Sequence, residues 1–484
     1  LVKSLIDKYK KMPQQVKASL WFVICGLIQK GISFLTTPIF SRLLTTTEYG
    51  VYSLFITWQN VVTILASLNL ASGVYLRGLI KYEDDSEEFT ASLQSLYVLN
   101  FLIVFGVYGL FHNFLNDLMD LPTVYMVYMF ADILVRVAFQ FWSCRQRVHY
   151  LYRALVGFTI LNAVLRPLVG VWAVLNSVDR VNGRIVSMIV VDLITFGGFF
   201  LAFFIKKGKK ISFKYWKYAL GYNLPLVPHY LSQFILNQSD RVMIKELTST
   251  SDAGIYSLAY NVAVVLTIVN QSIQNSYNPW MYQKIRDKEY DRIAPVSYSI
   301  LGIVAVLNLA LIILGPEIIW LMAPPTYHAA IWVIPPVAMG TYFMFLYGLF
   351  SNFEFYFEKT KYMMVASVSG AVLNIVLNYI FIQKYGFLAA GYTTMVCYLC
   401  YCIAHYILMR GILKRELPDI KIYDMRIIMG ISLGFVLVGA LFMALYNYAI
   451  IRYVLILIGC IFALIYRKKL TKLVKGILSL KKSK

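Results

Sequence analysis

The sequence predicts an all-α polytopic membrane protein. It reads as fourteen transmembrane helices: two pseudo-symmetric six-helix lobes around a central cavity, plus two helices at the C-terminal end. Three observations carry that prediction: an extreme apolar composition, a succession of apolar spans whose joining loops alternate in basic charge, and an internal repeat.

Of the 484 residues, 59% are apolar, 16% aromatic and only 14% charged, and the mean hydropathy is +0.65. Charged residues make up roughly a quarter of a soluble domain, so a soluble enzyme, a disordered scaffold and a secreted disulfide protein are excluded as classes. The formal net charge is +21, from 45 Lys+Arg against 24 Asp+Glu. In this setting the placement of the basic residues carries more information than their excess.

Taken in order, apolar stretches able to cross about 30 Å of hydrocarbon fall at 18–40, 50–76, 90–111, 123–144, 154–175 and 184–205. A basic break follows, then 217–240, 253–278, 293–314, 327–353, 361–382 and 386–409, and finally 425–445 and 449–466. Breakers mark the joins: Pro122, Asn182-Gly183, Pro324-Pro325 and Gly386. The expected organisation is an N-lobe (1–205), a basic cytoplasmic linker (206–216), a C-lobe (217–409), and two spans with a basic tail (410–484).

With both termini placed in the cytoplasm and basic residues at span ends assigned to the adjoining loop, 35 Lys/Arg fall in inside segments, seven outside and three within spans. A missed span would invert every loop downstream of it, so this alternation supports the topology. The charges are spread over all inside loops, which argues against nucleic-acid binding. Lys206, Lys207, Lys209 and Lys210, with the tail from Arg467 to Lys484, are expected to rest on anionic headgroups. Leu1–Lys17 is a basic, partly amphipathic lead-in without a signal-peptide cleavage pattern. The longest loops run to about a dozen residues and hold no GxxxxGK[ST] motif, so no ATPase module is expected.

The repeat is the most specific signal. Residues 43–54 read LLTTTEYGVYSL and residues 247–258 read LTSTSDAGIYSL. Leu43/Leu247, Thr46/Thr250, Gly50/Gly254, Tyr52/Tyr256, Ser53/Ser257 and Leu54/Leu258 are identical across the two. Both windows occupy the outside hairpin after the first span of their half. A Ser/Thr/acid run there caps the following helix. The shared orientation makes this a parallel repeat of six spans plus six, an architecture in which alternating access is a rocking of one bundle against the other.

These segments resemble the multidrug/oligosaccharidyl-lipid/polysaccharide (MOP) transporter superfamily and, within it, the Wzx-type flippases of polysaccharide biosynthesis. The carrying residues are Thr37-Pro38, Ser41-Arg42-Leu43-Leu44 and Glu48-Tyr49-Gly50 after the first span. In the second half they are Ser239-Asp240-Arg241, Ala253 to Leu258, and LNIVLNYIFIQKYGFLAAGYTT at 373–394. The resemblance implies a MATE-like, V-shaped pair of lobes. It also implies transfer of undecaprenyl-pyrophosphate-linked oligosaccharide to the outer leaflet of a bacterial cytoplasmic membrane. Capsule, O-antigen and other polymers are equally served by such a step, with a polymerase and chain-length machinery as partners. Drug/cation antiporters and peptidoglycan-precursor flippases are close relatives.

Charges retained within spans usually face a cavity or pair internally. Near mid-span they are Lys30, Asp132, Arg136, Arg166 and Asp192. Lys30 and Arg166 have no carboxylate at i±3 or i±4, and with Arg136 they are the expected pyrophosphate-binding cations, since a Lys ammonium or an Arg fork matches phosphate oxygens. Asp132 and Arg136 stand at i,i+4 and can neutralise each other. Asp132 and Asp192 are the expected coupling groups for H⁺ or Na⁺. Asp240 and Arg241 are expected at the outer end of the seventh span as an anchor or gate. Arg166-Pro167 predicts a local helix break.

Glu354 and Glu358 are expected at the membrane interface, His229 as an interior histidine able to relay protons, and Tyr52 and Tyr256 as candidate sugar-stacking rings. Cys397, Cys400 and Cys402 do not share one helical face, so packing is expected of them and no metal or other cofactor is implied. A cation-coupled drug antiporter would need a carboxylate-dominated cavity, whereas three of the five mid-span charges are basic. A membrane polymerase or glycosyltransferase would need catalytic groups on a sizeable outside loop.

Overall fold

A computed structural model describes residues 14–71, 73–205, 211–357, 360–418 and 420–465. Among these there is no strand. The helices are α1 (Gln14–Leu43), α2 (Thr46–Ser67), α3 (Gly73–Lys81), α4 (Ser86–Leu110), α5 (His112–Met119), α6 (Thr123–Val148), α7 (Tyr152–Asn176), α8 (Arg180–Ile205) and α9 (Phe213–Asn223). They continue with α10 (Val227–Leu247), α11 (Thr250–Arg286), α12 (Ile293–Ile313), α13 (Gly315–Met322), α14 (Ile334–Tyr356), α15 (Thr360–Tyr385), α16 (Ala389–Glu416), α17 (Met425–Ala444) and α18 (Ala449–Ile465). The N-terminal lead-in before Gln14, the basic run 206–210 and the tail from 466 lie outside the described residues.

Eleven of the described helices are long and apolar enough to cross a membrane. The other three expected spans differ for local reasons. The stretch 50–76 ends as α2 at Ser67, where Leu68 takes a left-handed conformation, and resumes as α3. The stretch 217–240 is broken by a 3₁₀ turn at Leu224–Leu226, with Pro225 inside it and Pro228 just after, each removing a backbone donor. The last, α18, is a shorter helix of 17 residues. Asn182-Gly183, read as a breaker, lies inside α8: Asp179 Oδ1 accepts from the Asn182 N–H at 3.0 Å and so starts the helix earlier.

The repeat windows do what their chemistry dictates. Thr45 caps α2, its hydroxyl accepting from the Glu48 N–H at 3.2 Å while the Glu48 carboxylate accepts from the Thr45 N–H at 2.7 Å. Ser249, at the equivalent place, caps α11 and accepts from the Asp252 N–H at 3.1 Å. Each cap satisfies an orphan donor, and each acid sits at the positive end of a helix.

The chain divides into two compact units, Leu1–Phe234 and Ile235–Lys484. In the first, Phe55, Phe89, Leu93, Tyr97, Met129 and Phe141 build a core from α2, α4 and α6. Helix α8 turns Ile185, Ile189 and Asp192 inward and leaves Leu193, Ile194 and Leu201 exposed. An exposed apolar face of this kind suits a lipid solvent.

In the second unit α14 is the central helix. Eighteen of its 23 residues are buried, as expected for a helix that is apolar all round. Gly340 lets it approach α16, where an added Cβ would already stand 3.5 Å from the Met395 Cα. The last two helices dock on this unit. Tyr446 donates to the Ile312 carbonyl at 2.5 Å, Tyr342 and Ser432 hydroxyls meet at 2.8 Å, and the fully buried Arg452 pairs with Glu317 of α13.

Candidate functional site

The intramembrane charges of the first unit come together. Helices α6, α7 and α8 bring Asp132 with Arg136, Arg166, and Asp192 into one network, and α2 adds Gln59. Arg136 Nη1 lies 3.2 Å from Asp132 Oδ2, the pairing that the i,i+4 spacing predicts. Its Nε lies 3.7 Å from Asp192, so one guanidinium bridges both acids. Arg166 forms a fork on Asp192, with Nε donating to Oδ1 at 2.7 Å and Nη2 donating to Oδ2. The carboxylate missing from its own helix is therefore supplied by α8.

Polar neutral groups complete the network. Gln59 donates to Asp132 at 2.8 Å and accepts from Arg136 at 3.0 Å. Asn162 donates to Asp192 at 2.8 Å and to the Thr195 hydroxyl at 2.9 Å. Burying the two carboxylates is tolerable because each is paired and hydrogen-bonded. One acceptor is left over: Asp132 Oδ1 is buried and receives no hydrogen bond.

The network is neutral in sum but not in orientation. Both carboxylates are fully buried, whereas the Arg136 and Arg166 side chains remain 34% and 25% exposed. The accessible side of the cluster is therefore cationic. Lys30 is exposed on α1 and makes no ion pair among the described residues. At one and two turns from it stand Ser33 and Thr37, with Thr37 donating to the Ser33 carbonyl at 3.0 Å.

Asp240 and Arg241 sit differently from the expectation. Helix α10 runs on to Leu247, which puts Asp240 well inside it, and the carboxylate is wholly buried. Asp240 accepts from Tyr256 at 2.6 Å, Asn378 at 2.6 Å and Thr394 at 3.0 Å. Thr393 donates in turn to Asn378. These residues belong to three sequence segments carrying the superfamily resemblance, and they converge on one carboxylate that ties α10 to α11, α15 and α16. Arg241 is also buried, its guanidinium 4.4 Å from the Tyr260 ring centroid and donating to the Asn237 carbonyl at 3.2 Å.

Two further expectations need correction. Glu354 is fully buried rather than interfacial, because α16 presents His405 to it at 2.7 Å. Tyr256 is buried with its hydroxyl on Asp240, so its ring is not open to a sugar. Glu358 and the His229 side chain lie outside the described residues. Cys397 and Cys402 are buried while Cys400 is exposed. No cluster of three His, Cys, Asp or Glu suited to a metal occurs among the described residues.

Comparison with known proteins adds the family context. The family described as "Polysaccharide biosynthesis protein" matches residues 16–285, and the MatE family matches residues 225–380. A protein of the Lsg locus of Haemophilus influenzae is 25% identical over 250 residues, which is 50% of this chain and 59% of that protein. The chain thus spans about three-fifths of the length of the curated relative it matches.

Among solved structures, the lipid II flippase MurJ in an inward closed conformation superposes with a TM-score of 0.62 at 13% identity, covering 89% of this chain and all of that one. An inward-facing multidrug resistance MATE family transporter of the MOP superfamily gives 0.63 at 12% identity, covering 80% and 96%. A MOP superfamily transporter from Pyrococcus furiosus gives 0.52 at 12%, covering 84% and 98%. These likenesses show a MATE/MurJ-like fold.

Proposed function

Since the chain belongs to the family described as "Polysaccharide biosynthesis protein", we propose that it is a flippase for undecaprenyl-pyrophosphate-linked oligosaccharide repeat units. It carries them from the cytoplasmic to the outer leaflet of a bacterial inner membrane, with both its termini in the cytoplasm. The observation that carries this reading is the charge orientation in the first unit, where two carboxylates are fully buried and the two arginine side chains paired with them stay partly exposed.

The diphosphate of such a carrier holds about two negative charges and accepts bidentate hydrogen bonds from Arg. Arg136 and Arg166, with Lys30, are the groups that would receive it. Their affinity is tempered by the acids behind them, so the headgroup can leave again. No step of covalent chemistry is required, and the protein acts as a transporter through an alternating-access cycle.

Outward movement of a net negative headgroup is favoured by an inside-negative potential worth ~2.3 kcal/mol per charge per 100 mV. Proton or Na⁺ antiport adds to this if Asp132 takes up a cation at its unbonded oxygen, with Asp192 as the second acid of the same network. For Asp240 and Arg241 we propose an anchoring role within the second unit, consistent with their burial.

The test is a strain lacking the gene, complemented with wild type or Lys30→Gln. The expected result is restored surface polymer with wild type and trapped cytoplasmic-leaflet repeat units with the variant, at equal membrane abundance. Full polymer export by Lys30→Gln would count against the cationic route. A drug/cation antiporter is the second reading, supported by the MatE match over residues 225–380. It calls for accessible carboxylates, the reverse of the orientation in this cluster.

A further inference from the structure

Arg184 stands two turns before Asp192 on α8. At 1.5 Å per residue the separation is about 12 Å along the helix. Arg184, Met188 and Asp192 follow an i, i+4, i+8 spacing and so share a face. The Arg184 guanidinium carbon is 4.0 Å from the Phe40 ring centroid and 4.8 Å from that of Tyr52. Its Nη2 donates to the Tyr52 hydroxyl at 3.2 Å. Nε and Nη1 are buried and donate to no acceptor, and no carboxylate pairs with Arg184 among the described residues.

Helix α7 keeps the space open. A Cβ on Gly170 would stand 2.8 Å from Arg184 Nη1 and 3.0 Å from the Phe40 ring. Gly170 is one turn from Arg166 on the same face. On α2, Tyr52 and Gln59 are two turns apart, and Gln59 binds Asp132 and Arg136. Arg136 and Arg166 thus share Asp192, and Arg184 stands two turns along α8 from that acid. The first two are neutralised by Asp132 and Asp192. The third, nearest the Arg180 end of α8, has two aromatic faces and no counter-charge.

Leaving two buried guanidinium nitrogens without an acceptor is costly, and aromatic faces offset only part of that cost. The arrangement becomes favourable when an oxyanion arrives. We propose that Arg184 is an anion-binding rung for a diphosphate, taking the headgroup after Arg136 and Arg166 release it. This rests on the flippase reading, and on the expected topology it puts the rung toward the outer side.

The experiment measures inorganic pyrophosphate binding by ³¹P line broadening to the full chain in nanodiscs. Wild type, Arg184→Gln, Gly170→Ala and Arg166→Lys are compared in phosphatidylcholine and in phosphatidylglycerol. Arg184→Gln is expected to weaken binding by at least about tenfold, the loss expected of a charge-assisted hydrogen bond. Gly170→Ala, which displaces the guanidinium without removing it, is expected to weaken binding in the same direction and serves if Arg184→Gln does not stay monodisperse.

Wild-type affinity in the monodisperse member of that pair, with weakening in Arg166→Lys, would overturn the Arg184 rung and leave the flippase reading standing. No pyrophosphate binding by wild type would overturn both. A difference between wild type and Arg184→Gln that vanishes in phosphatidylglycerol would assign the rung to bulk anionic lipid and overturn the diphosphate proposal.

Discussion

Removing one partner of a buried ion pair leaves the other charge stranded, and Asp192 has the most such dependents. Arg166, Arg136 and Asn162 all direct hydrogen atoms at it or lie against it. Asp192→Asn is expected to destabilise the protein by about 3–5 kcal/mol, read as a fall in the thermal midpoint of detergent-solubilised protein. An unchanged midpoint would mean the pair is not formed. Lys30→Gln, exposed and unpaired, is expected to leave the midpoint unchanged, so its transport defect can be separated from folding. Arg166→Ala cannot be read so simply, because it also strands Asp192.

The five mid-span charges were legible in the sequence because an ionised group stands out in apolar surroundings. Their neutral partners Gln59, Asn162 and Thr195 were not, since Asn, Gln and Thr are scattered through many spans. Arg184 was hidden by reading Asn182-Gly183 as a loop. Glu354 was assigned to the interface because Lys359 and Lys361 follow it, while its partner His405 arrives from 51 residues away.

At the scale of elements, the two capped hairpins were read correctly from LLTTTEYG and LTSTSDAG because capping is local chemistry. Thr45→Ala and Ser249→Ala are each expected to cost about 1 kcal/mol, with a smaller loss for Ser249→Ala because its cap lacks the reciprocal acid bond. A thermal-midpoint comparison of the two variants checks this; equal and zero shifts would contradict it. Close helix approach is the part that periodicity could not reveal. A Cβ on Gly370 would fall 1.8 Å from the Tyr401 ring, whose hydroxyl donates to the Ser367 carbonyl at 2.9 Å. Gly370→Ala is therefore expected to cost about 1–3 kcal/mol through overpacking and to separate α15 from α16, detectable as faster hydrogen exchange in both helices. The interruptions after Ser67 and at Leu224–Leu226 show the limit of counting apolar runs: composition alone continues through a break that Pro225, Pro228 or a left-handed Leu68 imposes.

For the whole molecule, composition and loop charge were enough to give an all-helical membrane protein, because a bilayer permits few alternatives to helices. The repeat, with its parallel orientation, led to an expected boundary at the basic linker 206–216, whereas the two compact units divide between Phe234 and Ile235. The driving force also belongs to this scale. With about two charges moved outward, the potential supplies about 4.6 kcal/mol per 100 mV, so collapsing it with an ionophore is expected to slow export several-fold; indifference would argue for downhill equilibration. The account is tested most directly by flipping itself, measured in proteoliposomes holding a fluorescent undecaprenyl-pyrophosphate oligosaccharide whose outer-leaflet fraction is bleached by dithionite. Wild type should expose the inner-leaflet pool, and Lys30→Glu should slow that exposure by at least about tenfold, since a charge-assisted contact becomes a repulsive one. A wild-type protein that leaves the inner pool protected, or a Lys30→Glu rate equal to wild type, would contradict the claim that an accessible cationic face carries the diphosphate across.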